Sequence, residues 1–490
     1  MYITRFAPSP TGYLHVGSLR TALYCYLLAK ESGGKFLLRI EDTDRERYVE
    51  DGVANILQSL YWAGIVPDEG VKLDEISGET VQIGENGPYI QSERLDIYRK
   101  HVEQLLKAGQ AYYCFCTAER LEALREEQQK NKLPTGYDGH CRGISLEEAK
   151  TKIANGEKAI VRLKMPKEGE TVFNDLIRGE VRFKNELVDD QVLLKSDGFP
   201  TYHLAVVVDD HEMKVNLIIR GEEWVSSVPK HIQLYKYFGW EAPQMAHLPL
   251  LLNADRSKLS KRQGDVAVGD YRRKGYLPEA IVNFVALLGW NPGTEKELFT
   301  LEELVKEFSL EKVNKAGAVF NLQKLDWFNQ QYIKKLSNEK IVERASAWIE
   351  EAGLGGVEKE FLAKAVGLEK ERIVTLAELP EAIKFMIELP NYDSMLLVWK
   401  KSDSPEAHKI LLELKEFLNT IIVREWTLTN LEAKIGEWVE EKGYGTGNVL
   451  WPLRTALSGL QNSPGPYEIA EALGKEWTLE RLDIAIGKLK

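Results

Sequence analysis

The sequence predicts an α/β fold in which a parallel-sheet domain, interrupted by a mixed α/β insertion, precedes an all-helical C-terminal half. Three observations predict it. Residues 2–41 follow a strand–loop–helix–strand pattern, and a βα pattern returns at residues 198–224. Residues 111–195, between them, hold short alternating strands, and from about residue 325 onward the pattern is helical throughout. A chain of 490 residues requires at least three such regions, because single cores stop growing well before that length.

The first predicted element is a βαβ unit. A strand-like run at residues 2–6 and a helix-like run at residues 19–30 are followed by an apolar strand at residues 35–42. In such sheets the ligand site lies at the carboxyl ends of the strands. Residues 5–10 and 41–44 both fall at that edge, so we expect them to face each other across one crevice.

The loop between the first strand and the first helix, RFAPSPTGYLHVGS, is unusually stiff. Pro8 and Pro10 fix their φ angles, and Gly17 permits a close approach at the start of the helix. A phosphate binds naturally to the free N–H groups of a helix N-terminus, and His15 could add a donor. The alternative is an ordinary βα connection that contains a histidine, and spacing alone favours this alternative.

The later elements are predicted from shorter runs. Strand-like runs at residues 159–166 and 180–183 predict the mixed insertion. The runs at residues 198–211 and 215–224 are rich in β-branched residues and end in polar ones, which predicts buried parallel strands ending at the site. In the helical half, Ser404 followed by a proline predicts a helix start, with the serine as cap.

Composition indicates a soluble globular protein. Hydrophobic residues make up 44% of the chain and charged residues 28%, and no apolar run reaches the length of a membrane span. The absence of a secretory signal and the clustering of three of the four cysteines predict a cytoplasmic protein. The net charge of −11 does not exclude a nucleic-acid partner, because basic residues are concentrated in residues 256–262 and 271–275.

A second loop also indicates phosphate chemistry. The stretch LLNADRSKLSKRQGD (residues 251–265) places Lys258, Lys261 and Arg262 close together, with a glycine after them. Lysines on a flexible loop can close on a polyphosphate and stabilise the charge that develops as pyrophosphate leaves. The chain has no Walker-type phosphate loop, so a bound ATP would depend on the His15 loop and this lysine loop together.

Two short motifs resemble the signatures of class I aminoacyl-tRNA synthetases: HVGS (residues 15–18) is similar to HIGH, and KLSKR (residues 258–262) is similar to KMSKS. The surrounding sequence resembles the bacterial-type glutamyl-tRNA synthetases from residue 3 to about residue 483. The segments that carry this resemblance are RFAPSPTGYLHVG, RIEDTDRER, QSERLDIYRK, YYCFC, PTYHLAVVVDDH, IIRGEEW, LLGWNPG and PLRTALSG. Each segment alone is weak, but the whole set in this order is specific.

The resemblance implies a Rossmann-type parallel-sheet catalytic domain in two halves, separated by an acceptor-stem-binding insertion. A stem-contact region with the KLSKR loop and two helical anticodon-binding domains are expected to follow. Along the chain, these six regions are expected at residues 1–110, 111–195, 196–255, 256–325, 326–400 and 401–490. The helical C-terminal half argues against a glutaminyl-tRNA synthetase, because that family carries β-barrels there.

The implied reaction has two steps. The α-carboxylate of L-glutamate attacks the α-phosphate of ATP to give glutamyl-adenylate and pyrophosphate, and the 3'-terminal adenosine of tRNA-Glu then takes the glutamyl group. The expected catalytic residues are His15, Lys258 and Lys261; the expected ATP-binding residues are His15, Gly17, Lys261 and Arg262, with Mg²⁺. Whether tRNA-Gln is charged as well stays open, and a monomer is the family default.

The amino-acid pocket has to hold two carboxylates and one ammonium group. Arg5 and Arg220 are the predicted carboxylate partners, because a guanidinium binds a carboxylate through two parallel hydrogen bonds. Glu41 suits the ammonium group, and Ser9 and Tyr202 are expected to add hydrogen bonds. Each arginine taken alone is more often a structural ion pair, but the five positions together match the requirements of one pocket.

Three cysteines lie close together in the predicted insertion: Cys114, Cys116 and Cys141. Their thiolates could close on one structural Zn²⁺, and the tight C-x-C pair is similar to the insertion of zinc-bearing glutamyl-tRNA synthetases. Gly143 occupies the place of a fourth ligand in some relatives and cannot ligate. His140 is the first substitute on ligand chemistry and Tyr137 the second. Three reduced cysteines without metal are the alternative.

Two other functions are weighed against this one. A relative that glutamylates a modified tRNA base lacks the anticodon-binding half, whereas this chain has a helical C-terminal half. An inactive tRNA-binding paralogue would have lost His15 or the lysines of the second loop, and this chain has kept them. Arg372 is a candidate for reading an anticodon base, but a helix-surface arginine is at least as well supported. Val206 stands where some relatives carry a polar residue, which leaves the finer glutamate contacts open.

Overall fold

The computed structural model describes residues 1–74, 76–259, 267–400 and 402–490. The chain forms two compact units: an N-terminal unit of residues 1–271 and 278–324, and a C-terminal unit of residues 272–277 and 325–490. Two of the predicted ATP-binding residues, Lys261 and Arg262, lie outside the described residues.

The strands, in chain order, are β1 (Ile3–Phe6), β2 (Lys35–Leu38), β3 (Glu69–Leu73), β4 (Thr80–Ile83), β5 (Ala111–Cys114), β6 (Ile160–Leu163), β7 (Glu170–Asp175), β8 (Gly179–Lys184), β9 (Val192–Leu194), β10 (Leu217–Gly221), β11 (Gln244–Leu248), β12 (Leu251–Leu252) and β13 (Ala318–Val319). The helices up to residue 307 are α1 (Val16–Glu31), α2 (Gly52–Trp62), α3 (Leu95–Lys107), α4 (Ala118–Lys130), α5 (Leu146–Ala154), α6 (Tyr202–Glu212), α7 (Val228–Phe238), α8 (Val268–Arg273), α9 (Pro278–Ala286) and α10 (Leu301–Glu307). The helices from residue 322 onward are α11 (Leu322–Lys335), α12 (Asn338–Arg344), α13 (Ser346–Glu351), α14 (Lys359–Glu369), α15 (Leu379–Ile387), α16 (Ser404–Thr420), α17 (Leu428–Lys442), α18 (Thr446–Ser458) and α19 (Pro466–Lys488).

The main sheet of the N-terminal unit has the strand order β4-β3-β2-β1-β10-β11-β7-β8. The inner strands run parallel, and β4 and β8 pair antiparallel at the two edges. The unit β1–α1–β2 is the predicted βαβ unit, and Leu19, Leu23 and Leu27 of α1 are fully buried. The prediction of an α/β fold with a parallel sheet is confirmed.

The turn between α1 and β2 shows why the helix ends at two glycines. Gly33 has a φ of +66°, a left-handed conformation that glycine adopts without steric cost. A β-carbon at Gly34 would lie 1.8 Å from the carbonyl oxygen of Tyr2, so only glycine fits beside the first strand.

The predicted insertion is divided between two sheets. Strands β5, β6 and β9 form a separate antiparallel sheet, as expected for an inserted domain. The hairpin β7–β8 instead extends the main sheet, because Asp175 of β7 pairs with Met245 of β11. The strand-like run at residues 180–183 therefore belongs to the main sheet, although the sequence placed it with the insertion.

The prediction of a strand at residues 198–211 is wrong, because this segment forms the helix α6. Its residues from Leu204 to Asp210 are all buried, so the helix is enclosed on every side and shows no amphipathic period. A continuous apolar run cannot distinguish a buried helix from a buried strand. The companion run at residues 215–224 does contain a buried parallel strand, β10.

The C-terminal unit is helical throughout its described part, as predicted. Its helix α16 buries Ile410, Leu411 and Leu414 on one face. The cap of α16 is Asp403 and not the predicted Ser404: the Asp403 carboxylate accepts the backbone N–H of Glu406 at 2.9 Å. Among the described residues of the whole chain, no helix is both long enough and apolar enough to cross a lipid bilayer.

Candidate active site

A cleft of about 960 Å³ opens at the carboxyl ends of β1 and β10. Every predicted ATP- or glutamate-site residue that the structure describes lines it: Arg5, Ser9, His15, Gly17, Glu41, Tyr202, Arg220 and Lys258. The walls include residues from both segments, 5–10 and 41–44, that were expected to face each other across a crevice. Sequence reasoning did not single out Arg45, Arg47 and Lys195, which also line the cleft, where Arg47 pairs with Asp44 and Lys195 with Asp197.

His15 caps the helix that begins at the cleft. Its Nδ1 accepts the backbone N–H groups of Gly17 at 3.1 Å and Ser18 at 3.2 Å, so Nδ1 carries no proton. The ring hydrogen of neutral His15 is therefore on Nε2, which lies 3.0 Å from the Ser18 hydroxyl. These two helix N–H groups are bound to the histidine, so a phosphate at this point would meet the imidazole Nε2.

Gly17 packs closely against this ring. A β-carbon at position 17 would lie 3.1 Å from both Cε1 and Nδ1 of His15, which is tighter than nearly all such contacts. The close approach predicted for this glycine is therefore toward the histidine ring.

The described residues on either side of the lysine loop are anchored next to His15. Leu259 donates its backbone N–H to Leu251 of β12 at 2.9 Å. On the far side, Val268 donates its backbone N–H to Leu14 at 2.8 Å, and Ala267 forms an antiparallel bridge with His15. Lys258 and His15 line the same cleft, so the described part of the lysine loop lies at the same site as the His15 loop.

Arg5 and Glu41 belong to a buried ionic network at the base of the cleft. Asp210 of α6 accepts from Arg5 Nε at 3.0 Å and from Arg39 NH1 at 2.8 Å, and Arg39 NH2 donates to Glu41 at 3.1 Å. Burial would lower the pKa of Arg5, but Asp210 more than offsets this and the pKa is raised. Burial raises the pKa of Glu41 despite the opposing effect of Arg39, so a substrate ammonium group beside it would favour the carboxylate.

Asp209, the neighbour of Asp210 on α6, is fully buried in the same region. Its carboxylate accepts from Arg94 Nε at 2.7 Å, Gln91 Nε2 at 2.8 Å and the Tyr98 hydroxyl at 2.9 Å. These three partners come from the segment QSERLDIYRK. In this structure the segment therefore holds α6, and with it Asp210, beneath the cleft.

Arg220 differs from Arg5 because no carboxylate binds it. Its Nε donates to His247 Nε2 at 3.0 Å, NH1 donates to the Tyr202 hydroxyl at 2.9 Å, and NH2 lies 3.3 Å from His231 Nδ1. Only 5% of Arg220 is exposed, and within the described residues no carboxylate comes within ion-pair distance of it. A buried guanidinium with only neutral partners is a strong site for an anionic ligand.

Comparison with known proteins gives the family. Residues 2–327 match the family described as "tRNA synthetases class I (E and Q), catalytic domain", and residues 340–486 match an anticodon binding domain. The chain belongs to the class I tRNA synthetases of the E and Q type.

Individual relatives of this synthetase are similar over their full lengths. The glutamate–tRNA ligase of Finegoldia magna is 45% identical over 99% of each chain, and that of Clostridioides difficile is 46% identical over 98% of this chain and 97% of its own. Among solved structures, a glutamate tRNA ligase from Elizabethkingia meningosepticum in complex with its amino acid has a TM-score of 0.89. It is 40% identical in sequence, and the match covers 100% of both chains.

The synthetase also carries the predicted cysteine cluster. The sulfur atoms of Cys114, Cys116 and Cys141 all lie within 4.8 Å of one another, and those of Cys116 and Cys141 are 3.6 Å apart. A tetrahedral Zn²⁺ with Zn–S bonds of about 2.3 Å requires sulfur atoms about 3.8 Å apart. The three thiols therefore fit one zinc ion.

The fourth position of this cluster is occupied by Tyr137. Its hydroxyl lies 3.4 Å from the sulfur of Cys114 and 3.6 Å from that of Cys116. His140, which ligand chemistry ranked first, is exposed and is not part of the cluster. The geometry thus reverses the order of the two candidates, because the Tyr137 hydroxyl and not the His140 ring lies next to the thiols.

The C-terminal unit of the synthetase has a groove of about 540 Å³ that is lined by Arg372. Arg372 NH1 lies 3.4 Å from the carboxylate of Glu369, and 45% of the Arg372 side chain is exposed. Lys384 and Phe385 line the same groove. Glu369, Glu381 and Glu388 line the groove as well, so it carries both charges, and the exposed Arg372 guanidinium is its feature that could bind a nucleic-acid base.

Proposed function

We propose that this chain is a glutamate–tRNA ligase, which uses ATP to join L-glutamate to the 3'-terminal adenosine of tRNA-Glu. The observation that carries the proposal is the buried guanidinium of Arg220, which faces the cleft with neutral partners only. Such a group stabilises a substrate carboxylate. The names of the relatives, and the solved complex of one of them with its amino acid, support the same substrate.

Glutamate is held by groups of complementary charge. Arg220 and Arg5 bind its carboxylates, and Glu41 binds its ammonium group. Tyr202 accepts a hydrogen bond from Arg220, so its own proton is available to a carboxylate oxygen in the cleft. Burial raises the pKa of Tyr202, which keeps this hydroxyl protonated at neutral pH. Ser9, exposed on the cleft wall, adds a further hydrogen bond.

The first chemical step forms one bond and breaks one. An oxygen of the glutamate α-carboxylate bonds to the α-phosphorus of ATP, and the bond to the leaving pyrophosphate breaks. Nε2 of His15 and the ammonium groups of Lys258 and Lys261 stabilise the charge on the phosphates, and Arg262 binds ATP. Gly17 contributes to this site by holding the His15 ring through its backbone N–H. Mg²⁺ bound with ATP supplies further neutralisation of phosphate charge.

No side chain of the protein needs to act as nucleophile. Cys25, the cysteine outside the cluster, is fully buried, and burial raises the pKa of its thiol to about 12. Its sulfur lies 3.4 Å from the backbone oxygen of Arg5, as a structural donor does. The terminal ribose hydroxyl of the tRNA attacks the glutamyl carbonyl carbon in the second step, and AMP leaves.

We propose that the C-terminal unit, which contains the match to an anticodon binding domain, contacts the tRNA. We infer that Arg372 reads an anticodon base in its groove, because a guanidinium can bind a base edge through two hydrogen bonds. Charging of purified tRNA-Glu and tRNA-Gln side by side decides whether one or both are substrates.

Transfer of labelled glutamate to two forms of the same tRNA tests the proposal. With ATP present, we expect tRNA-Glu to accept glutamate, and the same tRNA lacking its 3'-terminal adenosine to accept none. Equal labelling of both forms would indicate glutamylation of a base instead. No labelling of either form would indicate a tRNA-binding paralogue without activity.

A structural zinc ion in the cysteine cluster is part of the proposal. Cys114, Cys116 and Cys141 would hold it together with the Tyr137 oxygen. Bound there, zinc would fix the inserted sheet, and the cleft lies elsewhere, so the metal takes no part in catalysis.

Metal analysis of protein purified without chelator or affinity metal tests this site. We expect about one equivalent of zinc, and a lower Tm after chelation, because binding energy of a structural metal is folding energy. Tyr137→Phe is expected to weaken zinc retention, whereas the matched control His140→Ala is expected to leave it unchanged. Zinc far below one equivalent, with an unchanged Tm after chelation, contradicts the site.

A further inference from the structure

A row of polar side chains crosses four neighbouring strands of the main sheet, near the carboxyl ends of the strands where the cleft opens. Arg5 lies on β1, Arg220 on β10, His247 on β11 and Asp175 at the end of β7. Arg220 and His247 are direct neighbours in the parallel register of β10 and β11. Asp175 and His247 play no part in the function derived above, yet both are almost completely buried.

Asp175 fixes the orientation of His247. Its Oδ2 lies 2.6 Å from His247 Nδ1, while its Oδ1 accepts the backbone N–H groups of Ile177 at 3.0 Å and Arg178 at 2.9 Å. An anchored carboxylate of this kind places the imidazole proton on Nδ1. Nε2 of His247 is then the acceptor that the Nε–H of Arg220 requires.

A second histidine supports Arg220 in the same way. His231 is 2% exposed, and its Nδ1 lies 3.3 Å from NH2 of Arg220. Its Nε2 lies 3.1 Å from Nδ1 of His203, so a proton on Nε2 satisfies both contacts. Burial lowers the pKa of His231 well below its ordinary value, and it also lowers the pKa of His247.

Arg220 is therefore held in place by hydrogen bonds, while its positive charge is not neutralised by a carboxylate. Arg5 forms a direct ion pair with Asp210, whereas the imidazole of His247 stands between Arg220 and the carboxylate of Asp175. A carboxylate at position 247 would hold Arg220 just as well by hydrogen bonding. It would also compete with the substrate carboxylate for the same guanidinium.

We propose that His247, oriented by Asp175, and His231 are positioning residues that fix the Arg220 guanidinium without neutralising it, so that its charge is reserved for the carboxylate of glutamate. The inference deepens the proposed function and rests on it. It also gives the hairpin β7–β8 a role, since Asp175 reaches the cleft residues only because this hairpin extends the main sheet.

A variant that moves the carboxylate from position 175 to position 247 tests the inference. The double variant Asp175→Asn/His247→Glu keeps the net charge of the described row at neutral pH and keeps a hydrogen-bond acceptor for Arg220. It places the carboxylate directly on the guanidinium. His247→Gln is the matched control, because the glutamine amide can donate to Asp175 and accept from Arg220 at once.

Glutamate-dependent ATP–pyrophosphate exchange in the presence of tRNA is the measurement. We expect the double variant to raise the KM for glutamate about tenfold or more, with the KM for ATP and kcat changed by less than about threefold. The His247→Gln variant is expected to stay within about threefold of the parent in all three constants. A merely structural role would instead lower the Tm and affect ATP and glutamate alike.

Asp175→Asn alone provides a second test that does not depend on folding of the double variant. Its amide can donate to His247, which moves the imidazole proton to Nε2 and removes the acceptor for Arg220, so the KM for glutamate should rise several-fold. Unchanged KM values in both Asp175 variants, with the parent active, overturn this inference alone. Absence of glutamate-dependent exchange in the parent overturns the proposed function and the inference with it.

Discussion

Arg220→Ala is expected to raise the KM for glutamate by about a hundredfold, because the two charge-assisted hydrogen bonds that its remaining N–H groups can donate to a carboxylate are lost. The cavity left behind is lined by Tyr202, His231 and His247, none of which supplies a positive charge at neutral pH. Initial rates of pyrophosphate exchange at varied glutamate concentrations measure the effect. The KM for ATP is the internal control and should hardly change.

Arg5→Ala provides an informative comparison. Removal of Arg5 takes away a partner of the buried Asp210 carboxylate, which leaves Arg39 as its remaining ion-pair partner. We therefore expect a lower Tm together with weaker glutamate use, whereas Arg220→Ala should affect glutamate use more than the Tm. If both variants keep the parent's KM for glutamate, the amino-acid pocket has been placed wrongly.

Lys261→Ala is expected to slow adenylate formation by about two to three orders of magnitude while tRNA affinity stays nearly unchanged. The charge that Lys261 meets develops on the leaving pyrophosphate, so its contribution appears in the transition state and not in the ground state. Rapid mixing of the enzyme with ATP, glutamate and tRNA measures this step.

An exposed lysine outside the cleft is the matched control for that experiment. Lys100→Ala, on α3, removes the same charge from the surface and should leave the rate unchanged. Pyrophosphate exchange near the parent's rate in Lys261→Ala would remove this lysine from the mechanism.

Many residues of the candidate site could be predicted because they lie in short sequence motifs. Arg5, His15, Glu41 and Arg220 each stand at the end of a strand or the start of a helix, and parallel-sheet topology brings such ends to one edge. The charge that glutamate carries then selects arginine and carboxylate residues from those positions.

The supporting residues could not be predicted in this way. His247 and Asp175 are 72 residues apart and meet only because β7 lies beside β11, a pairing of strands that no local pattern encodes. The helix α6 resembles a strand in sequence because its apolar run, residues 204–208, is buried on all sides, and the two carboxylates that follow look like the end of a strand. Asp210 consequently went unrecognised as the partner of Arg5.

The sequence did not determine which of two nearby residues fills a given role, because this depends on where each side chain points. Asp403 rather than Ser404 caps α16, and Tyr137 rather than His140 faces the cysteine cluster, although residue type alone favoured the histidine as ligand. Such choices depend on the local backbone conformation, which composition and spacing do not determine.

Glutamate-dependent ATP–pyrophosphate exchange, run with and without tRNA-Glu and with glutamine as the competing amino acid, tests the central claim most directly. Two buried guanidinium groups, Arg220 and Arg5, for the two carboxylates of glutamate predict exchange with glutamate and almost none with glutamine, whose side-chain amide carries no charge. We expect this exchange at least in the presence of tRNA-Glu. No exchange under either condition, or equal exchange with glutamine, would contradict the account.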